Sequence, residues 1–482
     1  MGATGVLPVS QGSLISDGKD YPTVVSVKVL PSLESTRMKA MKTRRCSGGP
    51  TVRVHVLACL VLLVLFGTRG RAQVGSGDPA SEAFPIVISL DPHRSIDTGA
   101  DLTFAVVTAW GTVEHRALAH LKGSRRLGVP VRIAWTLLLD HPVAMLLVVM
   151  QHEAYGHGGR AREFGSGAGY RVGFPWTIET LFKGSTRFGG GATFDSTGFS
   201  IEDQLRVYVG GVEANARSAT LIERELVAGR TAQPLQLLYF IRSRLYASQY
   251  VLGHTPDPVG RPARFHAEWS GGGDAANYLG YLNTKYSGET GITPEASSET
   301  VRAAYHRLRW QAWLNVVDPG TWLAMWGVAR EVAIGDDPVS LPVPEIGGRR
   351  VLPILTADWM PDGGVISVET VFGRKRGQPS GPRWFSLVAR EGNGPGGHLW
   401  SAGAASEMFA TWPYIMMGGE GEVWNQPSYG AGAGATLRFV VTQGRLRGVL
   451  FDVGLKSAGH WLGRPAEPGA FFRIGYRSSP VR

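Results

Sequence analysis

The residues best equipped for chemistry stand together in His152-Glu153-Ala154-Tyr155-Gly156-His157. Two imidazoles and a carboxylate within six residues are the parts of a zinc site that activates water. Neutral imidazoles bind the metal, and an adjacent glutamate takes a proton from the water the metal polarises. The segment ends an apolar run, Val143 to Met150, that comes after Asp140 and Pro142, a helix cap and a first-turn proline, so a helix is predicted over 142–163. Burying a His-Glu pair at the end of such a helix is costly unless something binds it. On a regular helix a spacing of five turns His157 about 140° away from His152. A π-bulge takes up one added residue and is frequent at functional sites, and Gly156, Gly158 and Gly159 leave this backbone easy to deform. The expectation is a bulge near Gly156, with His152 and His157 as metal ligands and Glu153 as the catalytic base.

These six residues resemble the His-Glu-x-x-Gly-His motif of the dipeptidyl peptidase III family of zinc peptidases, which has the same longer spacing. The resemblance is confined to the six residues. It implies zinc on His152 and His157, catalysis by Glu153, and a glutamate ligand from a second helix. A looser resemblance is to site-2-type proteases, where a zinc-binding His-Glu helix precedes a Gly-rich extended segment and a later Gly-containing helix. Gly189-Gly190-Gly191-Ala192-Thr193 and then Val209-Gly210-Gly211-Val212-Glu213-Ala214-Asn215 stand in that order here. Glu213 is accordingly expected as the third ligand, on a helix whose Gly210-Gly211 pair lets two backbones approach, with Asn215 able to orient a ligand or hold substrate backbone. The same residues also read as a tight helix contact and nothing more. His266-Ala267-Glu268 and Gly273-Asp274 offer spare ligands, or form a loop and an Asp cap at a helix start. Arg160, Arg162 and Glu163 read as a solvated helix end, or as partners for nearby carboxylates.

The elements that would position these groups fall into two stretches. Apolar residues at three- and four-residue spacing predict helices at 102–122, 130–139, 142–163, 201–228, 233–251, 273–285, 297–316 and 319–334. Phe182 to Phe194 interrupts them with glycines and β-favouring flanks that suit a short extended segment. Beyond the Pro-rich 337–345 the period becomes two. Eight segments begin near Arg350, Gly364, Arg383, His398, Tyr414, Ala431, Arg447 and Gly469. The fold class expected is α+β and multidomain: a helical zincin-like domain at 98–336 and an antiparallel β-barrel-like domain of about eight strands at 346–478. A soluble barrel or sandwich and an outer-membrane barrel both fit. Trp359, Trp384, Trp400, Trp424 and Trp461 at strand ends favour the membrane version, while the terminal Ser-Ser-Pro-Val-Arg, lacking a final aromatic strand residue, opposes it.

Charge and cysteines narrow the function classes. The formal charge of +10 is concentrated in residues 1–72, where ten Lys and Arg face three acids, so the main body lacks the basic character of a nucleic-acid binder. That leader places a basic stretch before the apolar run Val54 to Phe66 and a Gly70-Arg71-Ala72 cleavage pattern, which reads as a secretory signal peptide. Both cysteines, Cys46 and Cys59, lie within it, excluding a thiol nucleophile from the mature chain. No phosphate-binding Gly-x-x-x-x-Gly-Lys loop or Gly-x-Ser-x-Gly elbow with sensible partners is present. The expectation is an exported, zinc-dependent peptidase-like hydrolase of the bacterial periplasm or outer membrane, acting on a peptide or protein. The alternative is a non-catalytic outer-membrane or surface protein with a helical scaffold.

Overall fold

The computed structural model describes residues 25–28, 84–119, 125–173, 190–255, 257–258, 273–288, 298–335, 339–375 and 382–478. Apart from Val25–Lys28, the leader read as a signal peptide lies outside these residues, as do His266 to Glu268.

The helical part is built around two long helices that cross at glycines. The first runs almost without a break from Arg125. It comprises α2 (Arg125–Trp135), a π-helical turn at Thr136–Asp140, α3 (His141–Met150), a second π-helical turn at Gln151–His157, and α4 (Gly158–Glu163). Asp140 does not cap this helix as its sequence position suggested. It is helical itself, buried within the first π-turn, where its carboxylate accepts from the Trp110 indole at 3.2 Å. The second is α5 (Ile201–Val227), which starts in a reciprocal capping box between Ser200 and Asp203. Around them pack α1 (Ile96–Ala119), α6 (Pro234–Gln249), α7 (Asp274–Ser287), α8 (Glu299–Val317) and α9 (Pro319–Ile334). The predicted helices lie within a few residues of these, α1 starting six residues earlier than expected.

A small sheet has the order β1-β3-β4, from β1 (Val25–Lys28), β3 (Ala168–Val172) and β4 (Gly190–Phe194). The glycines of the predicted extended segment allow β4 to lie directly against the long helix. A Cβ on Gly190 would come within 2.5 Å of Val149 Cγ1 and 2.7 Å of Glu153 Cγ.

The large sheet is antiparallel throughout and has ten strands, in the order β2-β13-β12-β11-β10-β9-β8-β7-β6-β5. Its members are β2 (Val87–Leu90), β5 (Glu345–Ile346), β6 (Arg349–Met360), β7 (Gly363–Lys375), β8 (Trp384–Gly394), β9 (Gly397–Thr411), β10 (Ile415–Gln426), β11 (Gly430–Val441), β12 (Val449–Lys456) and β13 (Gly469–Arg477). The eight predicted strands are β6 to β13. The sheet is not closed into a barrel: β2 and β5 are its two edges, and α1 packs on β2 while α8 and α9 pack on β6. Helices also lie against β7 and β8. They share a core with the strands, in which Val227, Leu235 and Phe240 meet Leu352, Ile354 and Val371.

The strand-end tryptophans do not form an outward ring. Trp359, Trp384, Trp424 and Trp461 are buried, and of the five only Trp400 is exposed, at 41%. Trp359 stacks on Tyr278 of α7, and Trp424 donates its indole N–H to the Ala458 carbonyl at 3.1 Å.

Candidate metal centre

The one-residue excess in the motif is absorbed as its spacing predicts. Gln151–His157 is π-helical, and the Gly158 N–H donates to the Glu153 carbonyl five residues back. A π-turn brings residues five apart onto nearly the same face, so the two rings meet. His152 and His157 have centroids 4.7 Å apart and Nε2 atoms 3.1 Å apart.

The third group is Asp274, the first residue of α7. Its Oδ2 lies 2.8 Å from His152 Nε2 and 3.3 Å from His157 Nε2. A tetrahedral zinc with ligands roughly 2.0–2.1 Å away separates those ligands by about 3.3 Å. The three atoms therefore need to move apart by only a few tenths of an ångström to hold a metal. Asp274 stands at the start of α7 as expected but does not cap it. Gly273 is the N-cap residue, and the Asp274 side chain turns to the imidazoles.

Glu213 does not join this cluster. It lies two residues beyond Gly211, about 200° around α5, and Gly211 is the residue that faces the histidines. A Cβ on Gly211 would sit 2.6 Å from both Nε2 atoms. Glu213 instead receives the Arg160 guanidinium on both oxygens, Nε at 3.1 Å, and accepts the Gly463 backbone N–H at 2.6 Å. Arg160 is fully buried, not part of a solvated helix end.

The hydrogen bonds behind the imidazoles set their tautomers. His157 Nδ1–H donates to the Val207 carbonyl at 2.7 Å, which in the neutral ring leaves the Nε2 lone pair facing the cluster. His152 Nδ1 lies 3.2 Å from the Asn215 side-chain nitrogen, while Asn215 Oδ1 is buried without a partner. Rotating that amide by 180° lets Oδ1 accept from His152 Nδ1–H. This satisfies the orphaned oxygen and frees the second Nε2 lone pair as well. Asn215 thus stands directly behind the His152 ring, on the face of α5 that looks at the histidines.

The acid and the imidazoles of the cluster hold one another's charge. Burial would raise Asp274, but the adjacent imidazoles hold its carboxyl well below the ordinary range. Burial opposes a charge on His157, yet the Asp274 carboxylate carries it up to about 9, so a metal entering here displaces a proton. Burial pushes the Glu153 carboxyl up, moderated by the two imidazoles and by the Ala192 N–H of β4, which donates to it. Tyr250 stacks on His152 at 5.6 Å, and Tyr246 lies 4.7 Å from the same ring. Burial holds both phenols in their neutral, proton-bearing form. These tyrosines were not singled out in the sequence, although their four-residue spacing puts them on one face where α6 runs on into a π-helical turn at Tyr250–His254.

His152, His157 and Asp274 are the one group of three such side chains, among the described residues, arranged to hold a metal. No protein-family model, curated protein or solved structure matches the chain.

Proposed function

We propose that the protein is a metal-dependent hydrolase of peptidase type, with His152, His157 and Asp274 as ligands of a zinc ion and Glu153 as its general base. The observation that carries this reading is the meeting of His152 Nε2, His157 Nε2 and Asp274 Oδ2, with the buried Glu153 beside them. Two imidazoles and one carboxylate leave a fourth tetrahedral position for water or substrate, the pattern of catalytic rather than structural zinc. Zinc bound there supplies Lewis-acid polarisation of a water and of a substrate carbonyl.

The chain's own residues supply the rest. Glu153, with its proton affinity raised by burial, accepts the proton of the attacking water and returns it to the leaving amine. Tyr246 is a neutral phenol beside His152, suited to stabilising the oxyanion that develops on the carbonyl, while the Tyr250 hydroxyl is hydrogen-bonded to Asp274 and steadies that carboxylate. A peptide substrate is favoured because β4 ends the small sheet and passes over Glu153, so an extended backbone can add to its outer edge.

The test uses the purified full chain. Elemental analysis should find about one zinc per chain, lost in His152→Ala, His157→Ala and Asp274→Ala but kept in Glu213→Gln. Glu153→Gln should keep the metal and lose hydrolysis of an unstructured protein such as casein. Iron in place of zinc, or hydrolysis undiminished in Glu153→Gln, overturns the proposal.

A further inference from the structure

The large sheet has inverted polarity. In β12 the alternation puts Phe451, Val453 and Leu455 outward, at 42, 52 and 65% exposure, and Asp452, Gly454 and Lys456 inward. In β13, Phe472, Ile474 and Tyr476 are exposed while Arg473 and Arg477 are buried. The pattern continues across the sheet through Leu437 of β11, Val423 of β10 and Leu387 of β8, all outward and exposed, whereas Glu422 and Arg390 are buried. A soluble sheet with one solvated face shows the opposite arrangement, apolar side in and polar side out.

The inward charges are paired. Asp452 meets Arg438 at 2.8 Å and also Arg473, Arg477 meets Glu407, and Arg390 meets Glu422. The polar face is therefore fixed as the interior by a network joining strand to strand and sheet to helix, so the apolar residues have only the outside left to them. Along β11 to β13 the outward positions hold no ionisable residue between Ala433 and Phe439, between Phe451 and Leu455, or between Ala470 and Tyr476.

We propose that the outward face of β8 to β13 lies against the hydrocarbon of a lipid bilayer. A tilted strand needs about 9–11 residues to cross, and β8 to β13 have 11, 15, 12, 12, 8 and 9, so all but β12 reach that length. The stretch from Ala470 to Tyr476 alone covers about 20 Å at 3.3 Å per residue, close to the ~25 Å apolar band of transmembrane sheets. Open edges are not tolerated in lipid. Helices attend both ends of the sheet: α1 packs on the edge strand β2, and α8 with α9 pack on β6, whose outer side pairs with the edge strand β5 over two residues only. Those last two helices present Trp310, Trp313, Trp322 and Trp326 at 40–61% exposure, a residue type that settles at the bilayer interface. A second protein seated on one patch would leave the same inversion on the other strands unexplained, whereas hydrocarbon meets every strand alike.

The test replaces Cys46 and Cys59 by Ser and places single cysteines at Val453, Ile474 or the exposed turn residue Arg445, each labelled with a fluorophore. The full chain is then reconstituted in vesicles of phosphatidylethanolamine and phosphatidylglycerol, with or without bromine on the acyl chains. The expected result is co-flotation with the vesicles, with bromine-dependent loss of fluorescence at positions 453 and 474 and none at 445. A chain that stays out of the vesicles and is monodisperse in detergent-free buffer overturns the proposal. So does equal quenching at all three positions, or shielding of 453 and 474 in a lipid-free oligomer. A zinc measurement on the same samples is independent, so failure here and failure of the hydrolase reading are told apart.

Discussion

Gly211 and Asn215 lie four residues apart on the face of α5 that looks at the histidines, and each limits what the site can tolerate. A Cβ on Gly211 would stand 2.6 Å from both imidazole Nε2 atoms and 2.5 Å from His152 Cε1. Gly211→Ala is therefore expected to abolish zinc binding by filling the space between the ligands, with helix content by circular dichroism retained. Normal zinc occupancy in that variant would mean the metal sits elsewhere. Asn215 acts through His152, so Asn215→Leu should weaken zinc affinity by about 10–100-fold while leaving stoichiometry at saturation unchanged, as loss of a hydrogen-bond partner behind a ligand does. A competition titration with a chromogenic chelator reads this directly, and an unaltered affinity would remove Asn215 from the site. The meeting of His152 and His157 was legible in the sequence because their relation is local and depends only on helix geometry. Asp274 was legible as a helix-start aspartate but not as the partner of the two histidines, since nothing in a single sequence says which distant helix crosses the motif. Glu213 was misplaced because the glycines identified the right helix, and the angular step from Gly211 to Glu213 then decided the face.

The π-turn is anchored by the α4 segment directly after it. Arg160, three residues beyond His157, binds Glu213 on α5, Glu163 on its own helix at 2.9 Å, and the Arg464 carbonyl at 2.6 Å. Glu213 and Glu163 also accept the Gly463 and Ala466 N–H groups, so the loop between β12 and β13 is bolted to the helix crossing. The crossing is close: a Cβ on Gly156 would lie 2.5 Å from Gly211 Cα. Removing one member of a buried, hydrogen-bonded pair costs about 3–5 kcal/mol, whereas replacing both by apolar residues costs much less. Arg160→Met and Glu213→Leu should each lower stability by about that amount, and the double variant should recover a large part of it. Thermal unfolding of the four proteins forms the cycle, and strictly additive losses would show that the two side chains are not a unit. Element positions were readable because helix and strand periods differ sharply at residue 337. The inward turn of Trp359, Trp384, Trp424 and Trp461 was not, because a tryptophan at a strand end looks the same whether lipid or a packed helix receives it.

At the scale of the whole molecule, ion pairs join the helices to the inner side of the sheet. Arg217 of α5 bridges Asp97 of α1 at 2.8 Å and Glu420 of β10 at 3.3 Å, Arg224 reaches Glu369 of β7 at 2.7 Å, and Arg464 closes the circuit to Asp97 and Glu420. An open ten-stranded sheet could not have been foreseen from the strand pattern. Eight period-two segments are compatible with closure, and nothing in that pattern announces the helices packed against β2 and β6 or the short β2 that arrives from before the helical region. Burial would raise the Asp97 carboxyl, but Arg217, Arg464 and Arg473 together hold it at about 2. A carboxyl depressed in the folded state from an unfolded value near 3.9 contributes about 2–3 kcal/mol of stability. That contribution is complete above about pH 4 and is lost as the pH falls through about 2, where folded and unfolded states bind the proton alike. Asp97→Asn should therefore be less stable than the parent at pH 7, because its guanidinium partners lose a counter-charge. Its unfolding temperature should also fall less steeply than the parent's between pH 4 and pH 2. Measured across that window by circular dichroism, the two curves should converge toward the acid end. Parallel curves would place the acid sensitivity in other carboxylates and leave Asp97 as a hydrogen-bond acceptor whose charge contributes nothing to joining helices and sheet.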